Sequence, residues 1–296
     1  MRYTIKHAVL FLAPLLIIVG LMYFMVGWTI YVSMNDWVGM APMWKFIGLK
    51  NYGTLLGIGG SNPLSARFWV NFRNNLIWLF TFIIPAAVVG LLLAYGLELI
   101  GKAEAIFRPI FLHPLALSFV VTGTLWAWMW DPADGVINTI LRGLGLNALA
   151  GMWIADPKIA VYCMVGAAIW QYTGFAMTLY IAAIRDIPQD IIEAARVDGA
   201  SVMGILYYII IPNVMHASMI AIAMLTLFSL KVFDLVWVMT MGGPGYETEV
   251  LSYYMFVATF RQLLVGVGAA ISVIILLFSI IIIVPYSRWI MERWMR

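Results

Sequence analysis

Charge is scarce in this chain. Of its 296 residues, 17 are Lys or Arg and 14 are Asp or Glu, so charged residues make up 10% and hydrophobic residues 64%. A soluble domain has about 25% charged residues, because its surface must be largely polar. The shortage of charge excludes a soluble fold and predicts an integral membrane protein.

Residues for catalysis or metal binding are also few. The one cysteine, Cys163, lies within a hydrophobic run and cannot form an internal disulfide. The three histidines are scattered, without the spacing that places two on one helix face. No Ser/His/Asp or Cys/His grouping stands out. We therefore expect no enzyme, no bound metal and no cofactor on this chain.

Strand-like alternation is absent, which argues against a membrane β-barrel. Apolar runs exceed the about 20 residues that cross a hydrocarbon core of about 30 Å as a helix. The first run is too long for a signal peptide and is expected to stay uncleaved. Residues 1–296 are thus predicted to form a single all-α transmembrane domain of six helices, at about 8–33, 74–97, 109–130, 160–184, 216–239 and 264–287.

An even number of spans places both termini on one side. With that side inside, the inner segments carry nine Lys or Arg and the longer outer segments carry seven. This bias in positive charge predicts that the N- and C-termini are cytoplasmic.

The string Gly96–Ala103 fits the GxxxxGK spacing of a phosphate-binding loop. Such a loop follows a strand and ends in a Ser or Thr that binds Mg²⁺. Here a predicted span precedes the string, Ala103 replaces the hydroxyl residue, and Glu98 would repel phosphate. We expect that this chain does not hydrolyse ATP.

Residues 187–212, IPQDIIEAARVDGASVMGILYYIIIP, have the pattern of two helices separated by a break. Pro188 is suited to a first helical turn, and Gly199 to the left-handed residue that ends a helix. Ser201 can cap the second helix, which Pro212 ends or kinks. Taken alone, the residues fit either an ordinary interfacial helix–turn–helix or a surface that docks into a partner's groove.

The same segment resembles the EAA motif of permease subunits of binding-protein-dependent ABC importers. In that motif EAA is followed by three residues, Gly, nine residues and then I-x-L-P. The residues Glu193-Ala194-Ala195, Gly199 and Ile209-x-Ile211-Pro212 fall at matching positions, with Ile211 in place of Leu. Asp198 and Ala200 match the DGA form that is common in the sugar subgroup.

Four further strings resemble the maltose and glycerol-3-phosphate type of permease, specifically the subunit that carries GGP. They are Phe46-Ile-Gly48-Leu49-Lys-Asn51-Tyr52, Asn74-Asn75, Phe233-Asp234 and Thr240-Met-Gly242-Gly243-Pro244-Gly245. The resemblance extends from about residue 10 to 287, without the large external insertion of some maltose-type subunits. It implies the all-α integral membrane fold of type I ABC importer permeases, with six transmembrane helices and a cytoplasmic EAA coupling helix–turn–helix.

The resemblance implies a permease subunit that imports a sugar, or a related polyol or sugar phosphate, by alternating access in a bacterial or archaeal inner membrane. The implied partners are a second permease in a heterodimer, two ATPase subunits that hold ATP and Mg, a soluble or lipid-anchored sugar-binding protein, and membrane lipid. Nucleic acid is not among them.

The resemblance also implies two sets of site residues. The residues that would couple the chain to the ATPase are Glu193, Ala194, Ala195, Asp198, Gly199, Ala200, Gly204 and Pro212. The turn that would dock the binding protein contains Gly242, Gly243, Pro244 and Gly245.

Polar residues within the predicted spans are candidates for the substrate pathway, because such residues are costly in lipid. Gln171 beside Trp170 and Tyr172 offers an amide next to an aromatic platform, as a sugar requires; interhelical packing is the alternative. A second set is spaced i, i+3, i+6, on one helical face, where the first two members could pair; a structural ion pair or an interface anchor is the alternative. That set is Lys231, Asp234 and Trp237.

The period-two series Trp126, Trp128 and Trp130 at the outer end of a span predicts an aromatic belt.

Two other transporter classes compete with the sugar importer. An ion-coupled secondary carrier would need membrane-embedded carboxylates, broken helices or internal repeats, whereas Asp234 is the one span carboxylate and no repeat is found. An ABC permease for an amino acid, polyamine or ion is the other alternative. Phe233-Asp234 together with the GGP string favours a sugar.

Overall fold

The computed structural model describes residues 5–294, and helices are their main regular structure. Within this range, the one β-bridge joins Asn35 and Phe46, and no strand forms. The α-helices are α1 (Ile5–Ser33), α2 (Lys50–Leu56), α3 (Pro63–Ile100), α4 (Glu104–Ala116), α5 (Phe119–Met129), α6 (Val136–Gly143), α7 (Ala160–Arg185), α8 (Gln189–Val197), α9 (Val202–Ile205), α10 (Ile211–Asn213), α11 (Met215–Leu230), α12 (Asp234–Met239), α13 (Leu251–Phe256) and α14 (Val265–Trp294).

Shorter helical turns connect some of these helices. Three are 3₁₀ turns, at Gly101–Ala103, Asn147–Leu149 and Trp153–Ala155. Two are π-helical turns, at Leu206–Ile210 and Val257–Arg261.

The chain forms two compact units. One contains the described part of Met1–Trp69 together with Tyr254–Phe278. The other contains Val70–Tyr253 together with the described part of Ser279–Arg296. All the predicted coupling, pathway and docking residues belong to this second unit.

Four helical segments of the described chain are long and apolar enough to cross a membrane. They are Leu12–Ser33, Pro63–Ala116, Ala160–Arg185 and Val265–Tyr286. A fifth candidate is a bent pair, Val202–Asn213 followed by Met215–Leu230 at 71°. The count of six spans stays a prediction.

Two of the predicted spans contain helix breaks that hydropathy did not indicate. The run 109–130 is divided where α4 ends at Ala116 and α5 begins at Phe119. The run 216–239 is divided at Lys231, between α11 and α12. Apolar composition measures affinity for lipid, and a break costs little where another group satisfies the freed backbone atoms.

In the first unit, the Phe46–Tyr52 string has a structural role. The buried side chain of Asn51 donates from Nδ2 to the carbonyl oxygens of Ser33, at 2.9 Å, and Asn35, at 3.0 Å. The hydroxyl of Tyr52 lies 2.6 Å from Ser33 Oγ. Because the last carbonyls of a helix have no partner within it, these contacts satisfy the end of α1.

The second unit has an apolar core where α3, α7 and the segment after α7 pack together. Its buried members include Tyr95, Tyr180, Ile184, Ile192 and Ile205. This core positions the segment that the sequence singled out for coupling.

Candidate functional site

We call residues 187–212 the EAA segment. Its first helix, α8, is preceded directly by Pro188, which occupies the N-cap position rather than the first turn. The helix ends at Val197, and Gly199, which follows Asp198, has a φ of +80°. Gly199 N donates to Arg196 O at 3.1 Å, and Ala200 N donates to Ala195 O at 2.9 Å. These two bonds form a Schellman motif, so the predicted stop at Gly199 is confirmed.

The second helical part of the EAA segment begins at Ser201. The Ser201 Oγ atom accepts from the backbone N–H of Gly204 at 3.1 Å, which confirms the predicted cap. Pro212 lies inside α10, and the 71° bend follows Asn213. The kink thus comes just after Pro212 rather than at it.

The EAA segment is held to the core by apolar side chains. Ile187, Ile192 and Ile205 are buried in the core of the second unit. One polar contact adds to them, since the hydroxyl of Tyr95 donates to the carbonyl of Val202 at 2.9 Å. The inner face of the EAA segment is therefore fixed to the core of the second unit.

The outer face of the EAA segment is free. Glu193, Ala194 and Asp198 are exposed, and Val197 is 88% exposed. Among the residues that the structure describes, neither Glu193 nor Asp198 forms an ion pair. A short helix with small residues beside unpaired carboxylates offers both shape and charge to a partner.

An ion-pair network lies at the helix ends just before the EAA segment. Arg185, the last residue of α7, donates from Nε to Glu98 Oε1 at 2.6 Å and from Nη2 to Glu104 Oε2. Glu104 also pairs with Arg108 at 3.4 Å. The network links the ends of α3, α4 and α7. Glu98, which counted against a phosphate-binding loop, is thus an ion-pair partner.

We call residues 240–249 the GGP turn. Thr248 Oγ1 donates to Gly243 O at 2.7 Å, and the hydroxyl of Tyr253 donates to Met241 O at 2.5 Å. Gly242 has a φ of +86°, and a Cβ there would lie 2.7 Å from Glu249 Cγ. No other residue fits this position without moving its neighbours.

Side chains of α3 hold the GGP turn from outside. Asn74 Nδ2 donates to the carbonyls of Glu247, at 2.7 Å, and Glu249, at 2.8 Å. Asn75 Oδ1 accepts from Leu251 N at 2.8 Å. The Asn74-Asn75 and GGP strings, far apart in sequence, are therefore one structural element.

A cavity of about 240 Å³ lies among α3, α5, α7 and the break between α11 and α12. Tyr172 stacks on Phe228 with ring centroids 4.4 Å apart and meets Phe82 at 5.6 Å. The aromatic residues that line the cavity are Trp78, Phe82, Phe119, Tyr172, Phe228 and Phe233, and its polar lining includes Ser229, Lys231 and Asp234.

Two buried polar atoms of the cavity lining have no hydrogen-bond partner within the described chain. They are Trp78 Nε1 and Ser229 Oγ, and both side chains are 1% exposed. A buried donor or acceptor left unsatisfied costs about 1–3 kcal/mol.

Comparison with known proteins decides the family. Residues 53–296 match the family described as the inner membrane component of binding-protein-dependent transport systems. The chain belongs to this family.

Relatives and a solved structure agree with this family. A probable ABC transporter permease of Pyrococcus horikoshii is 43% identical over 286 residues, which is 96% of each chain. The xylose/arabinose import permease of Haloferax volcanii is 33% identical, covering 88% of this chain and 80% of that one. A bacterial ABC transporter involved in the import of alginate has a chain that superposes with a TM-score of 0.80 at 20% identity, over 97% of this chain and 96% of that one.

These findings confirm several sequence predictions. The permease has the predicted all-α fold of ABC importer permeases, and it is a multi-pass membrane protein. It is a transport subunit rather than an enzyme.

The pathway candidates of the permease lie in different places. Tyr172, Lys231 and Asp234 line the cavity. Gln171 instead donates to the carbonyl of Leu117, in the break between α4 and α5, at 3.0 Å. The contact of Gln171 therefore agrees with interhelical packing, the alternative to a role in the substrate pathway.

Two tryptophan candidates pack outside the cavity lining. Trp170 meets Trp126 with ring centroids 5.7 Å apart. Trp237 stacks on Phe233 at 6.0 Å.

The predicted helical face of Lys231, Asp234 and Trp237 is wrong, because the helix is interrupted between the first two residues. Among the described residues, no ion pair joins Lys231 to Asp234. Both side chains are exposed at the cavity. The break between α11 and α12, rather than an ion pair, places Lys231 and Asp234 at the cavity.

The tryptophan series near the end of α5 is not a uniform belt. Trp126 stacks on Trp130 with centroids 5.8 Å apart, and Trp130 meets Trp153 at 4.9 Å. Trp128 is 55% exposed. The belt interpretation fits Trp128, whereas the other two form an internal cluster.

Most residues of the cavity lining were not identified from the sequence. Phe228-Ser229, one residue before Lys231, were lining residues that lie close in sequence to a predicted candidate. Trp78, Phe82 and Phe119 come from other helices, and only the fold brings them to the cavity.

Proposed function

We propose that this permease imports a sugar, or a related polyol or sugar phosphate, by ATP-driven alternating access. The observation that carries the proposal is the cavity, whose lining combines aromatic rings with Ser229, Lys231 and Asp234 and includes two buried polar atoms without a described partner, Trp78 Nε1 and Ser229 Oγ. A sugar ring has apolar faces and a rim of hydroxyl groups. Aromatic side chains suit the faces, and buried donors and acceptors suit the hydroxyls.

The charges at the cavity favour a neutral guest. Lys231 and Asp234 contribute one positive and one negative charge to its lining. The xylose/arabinose import permease among the similar proteins supports a carbohydrate substrate.

The EAA segment is proposed to dock on an ATPase subunit. Its free carboxylates and small residues form the contact, and its apolar anchors transmit the movement to the core. The Arg185 network, at the ends of α3, α4 and α7, passes that movement to the helices that line the cavity.

The complete transporter is proposed to contain a second permease in a heterodimer, two ATPase subunits with ATP and Mg, and a soluble or lipid-anchored sugar-binding protein. The GGP turn presents Met241, Gly245 and Tyr246 to the binding protein. Both termini and the EAA segment are proposed to be cytoplasmic.

Uptake into proteoliposomes containing the complete transporter tests the substrate. Labelled pentoses, hexoses, disaccharides and glycerol phosphate would be compared with amino acids and polyamines. Ser229→Ala and Trp78→Phe each remove one hydrogen-bonding group, worth about 0.5–1.5 kcal/mol, so Km for the sugar should rise about two- to tenfold.

Thr122→Val is the matched control. Thr122 Oγ1 is also buried without a described partner, but Thr122 does not line the cavity. Its Km should be unchanged. Uptake of amino acids instead of sugars, or equal Km values for all three variants, would contradict the proposal.

Purification from native membranes through a tag on this chain tests the partners. We expect a second permease and vanadate-sensitive ATPase activity to accompany it. Recovery of a stable chain without ATPase activity would oppose the importer and favour an ion-gradient carrier.

A further inference from the structure

The segment between α5 and α7 has an exposed central stretch that is poor in charge. The 21 residues 135–155 contain one charged residue, Arg142. Loops in water are normally rich in charge, and exposed apolar patches mark interaction sites. Five large apolar side chains of this segment are 46–68% exposed, and we call them the leucine face: Ile140, Leu144, Leu146, Leu149 and Met152.

The leucine face belongs to an ordered segment. Asn138 Nδ2 donates to the carbonyls of Pro132 and Gly151, both at 2.9 Å. Asn138 Oδ1 accepts from Trp153 Nε1 at 2.6 Å. Because these bonds cross-link the segment, its apolar side chains are held on the outside instead of being free to fold inward.

The single cation is used within the segment. Arg142 donates from Nη1 to Ala133 O at 3.0 Å and from Nη2 to Pro132 O at 3.1 Å. A surface built to bind a soluble protein has a polar rim around its apolar centre. Within 135–155 the leucine face has little charge to form such a rim, and the other charges of the segment, Asp131, Asp134, Asp156 and Lys158, lie at its two ends.

The segment lies at the end of an apolar helix. Trp153 packs on Trp130, the residue directly after α5. α5 is apolar over its 11 residues, which is about 16 Å of helix, and it follows α4 within the apolar run 109–130. Trp128, exposed near the same end, is the residue type enriched at the boundary of the membrane.

We propose that the leucine face is a lipid-binding surface that lies in the membrane interface. The Trp130–Trp153 contact joins the end of α5 to the segment, and lipid covers the apolar side chains of the leucine face in the assembled transporter. A helix with one apolar side can rest about 5–10 Å deep at the boundary of headgroups and acyl chains. The inference depends on the membrane fold and not on the identity of the substrate.

Site-directed spin labelling can test this surface, because the chain has one cysteine, the buried Cys163. In a Cys163→Ala background, single cysteines would replace Leu144, Leu149 and, as a control, Ala133. Ala133 is exposed in the Asp131–Gly135 turn of the same loop. Each labelled permease would be studied in the complete transporter in phosphatidylcholine nanodiscs, and uptake would verify that it is functional.

Collision with oxygen, which concentrates in lipid, would be compared with collision with a water-soluble nickel chelate. At positions 144 and 149 oxygen should dominate, at a depth of about 5–10 Å, while nickel should dominate at 133. Access of nickel to all three positions would overturn the proposal. Loss of access for both reagents at 144 and 149 would also overturn it, because a protein partner would then cover the face.

Discussion

The GGP turn and the EAA segment belong to the same unit but are fixed in opposite ways. The turn is held by hydrogen bonds to buried polar groups, above all from Asn74 and Thr248. The EAA segment is held by Ile187, Ile192 and Ile205. In the turn, polar groups serve the chain's own fold, whereas in the segment Glu193 and Asp198 are exposed and form no ion pair within the described chain.

The GGP turn and the EAA segment therefore differ in how each could present a binding surface to another protein. A turn with directional bonds keeps one shape, so it can present Met241 and Tyr246 at fixed positions. The EAA segment is held by apolar side chains on its inner face, so substitutions on its outer face should leave its backbone structure unchanged. Changes on the segment should therefore affect partner binding alone, and changes beneath the turn should affect local structure first.

The largest effect is expected from Glu193→Lys. Reversing a charge that meets a partner costs about 2–5 kcal/mol, so uptake by the complete transporter should fall about 30-fold or more. The permease itself should remain inserted and stable, because Glu193 is exposed and forms no ion pair in the described chain. Uptake in proteoliposomes and the amount of ATPase that co-purifies would measure the loss.

Asp134→Lys is the control for charge reversal. Asp134 is exposed in the loop after α5, away from the EAA segment. It should retain uptake and bound ATPase. Normal uptake in Glu193→Lys would remove the docking role of the free carboxylates.

A smaller effect is expected from Asn74→Ala. The change leaves buried carbonyls without their donor, at about 1–3 kcal/mol for an unsatisfied group, so the melting temperature should fall. The loosened GGP turn should also reduce stimulation of the ATPase by the binding protein. Basal ATPase activity should persist, in contrast to Glu193→Lys.

Thermal unfolding, together with ATPase assays with and without binding protein, would measure both effects of Asn74→Ala. Asn147→Ala, at an exposed position of another loop, should change neither. If Asn74→Ala lowered basal and stimulated activity equally, the turn and the segment would not act separately.

The two helices of the EAA segment could be predicted closely, because the break between them depends on hydrogen bonds that are local in sequence. The stop at Gly199 and the cap at Ser201 use bonds within five residues. The membrane class followed from composition. Such features require no knowledge of which helices meet.

The cavity could not be predicted in the same way. Trp78, Phe119, Tyr172 and Phe228 lie on four helices and meet only in the fold. The break between α4 and α5 was also hidden, because Gln171 satisfies the Leu117 carbonyl from a distant part of the chain. Hydropathy detects neither long-range contact nor the continuity of backbone bonds.

The smallest effect should come from Gly199→Val, which changes the backbone and leaves every charge of the EAA segment in place. A Cβ at Gly199 would have no atom within 4 Å, so the cost arises from the φ of +80°. That strain is about 1–2 kcal/mol for a residue with a side chain, or roughly tenfold in uptake. Asn tolerates this conformation, so Gly199→Asn should keep most of the uptake. Equal loss in both variants would show that the partner contacts Gly199 directly, and equal retention would show that the Schellman turn is not needed for coupling.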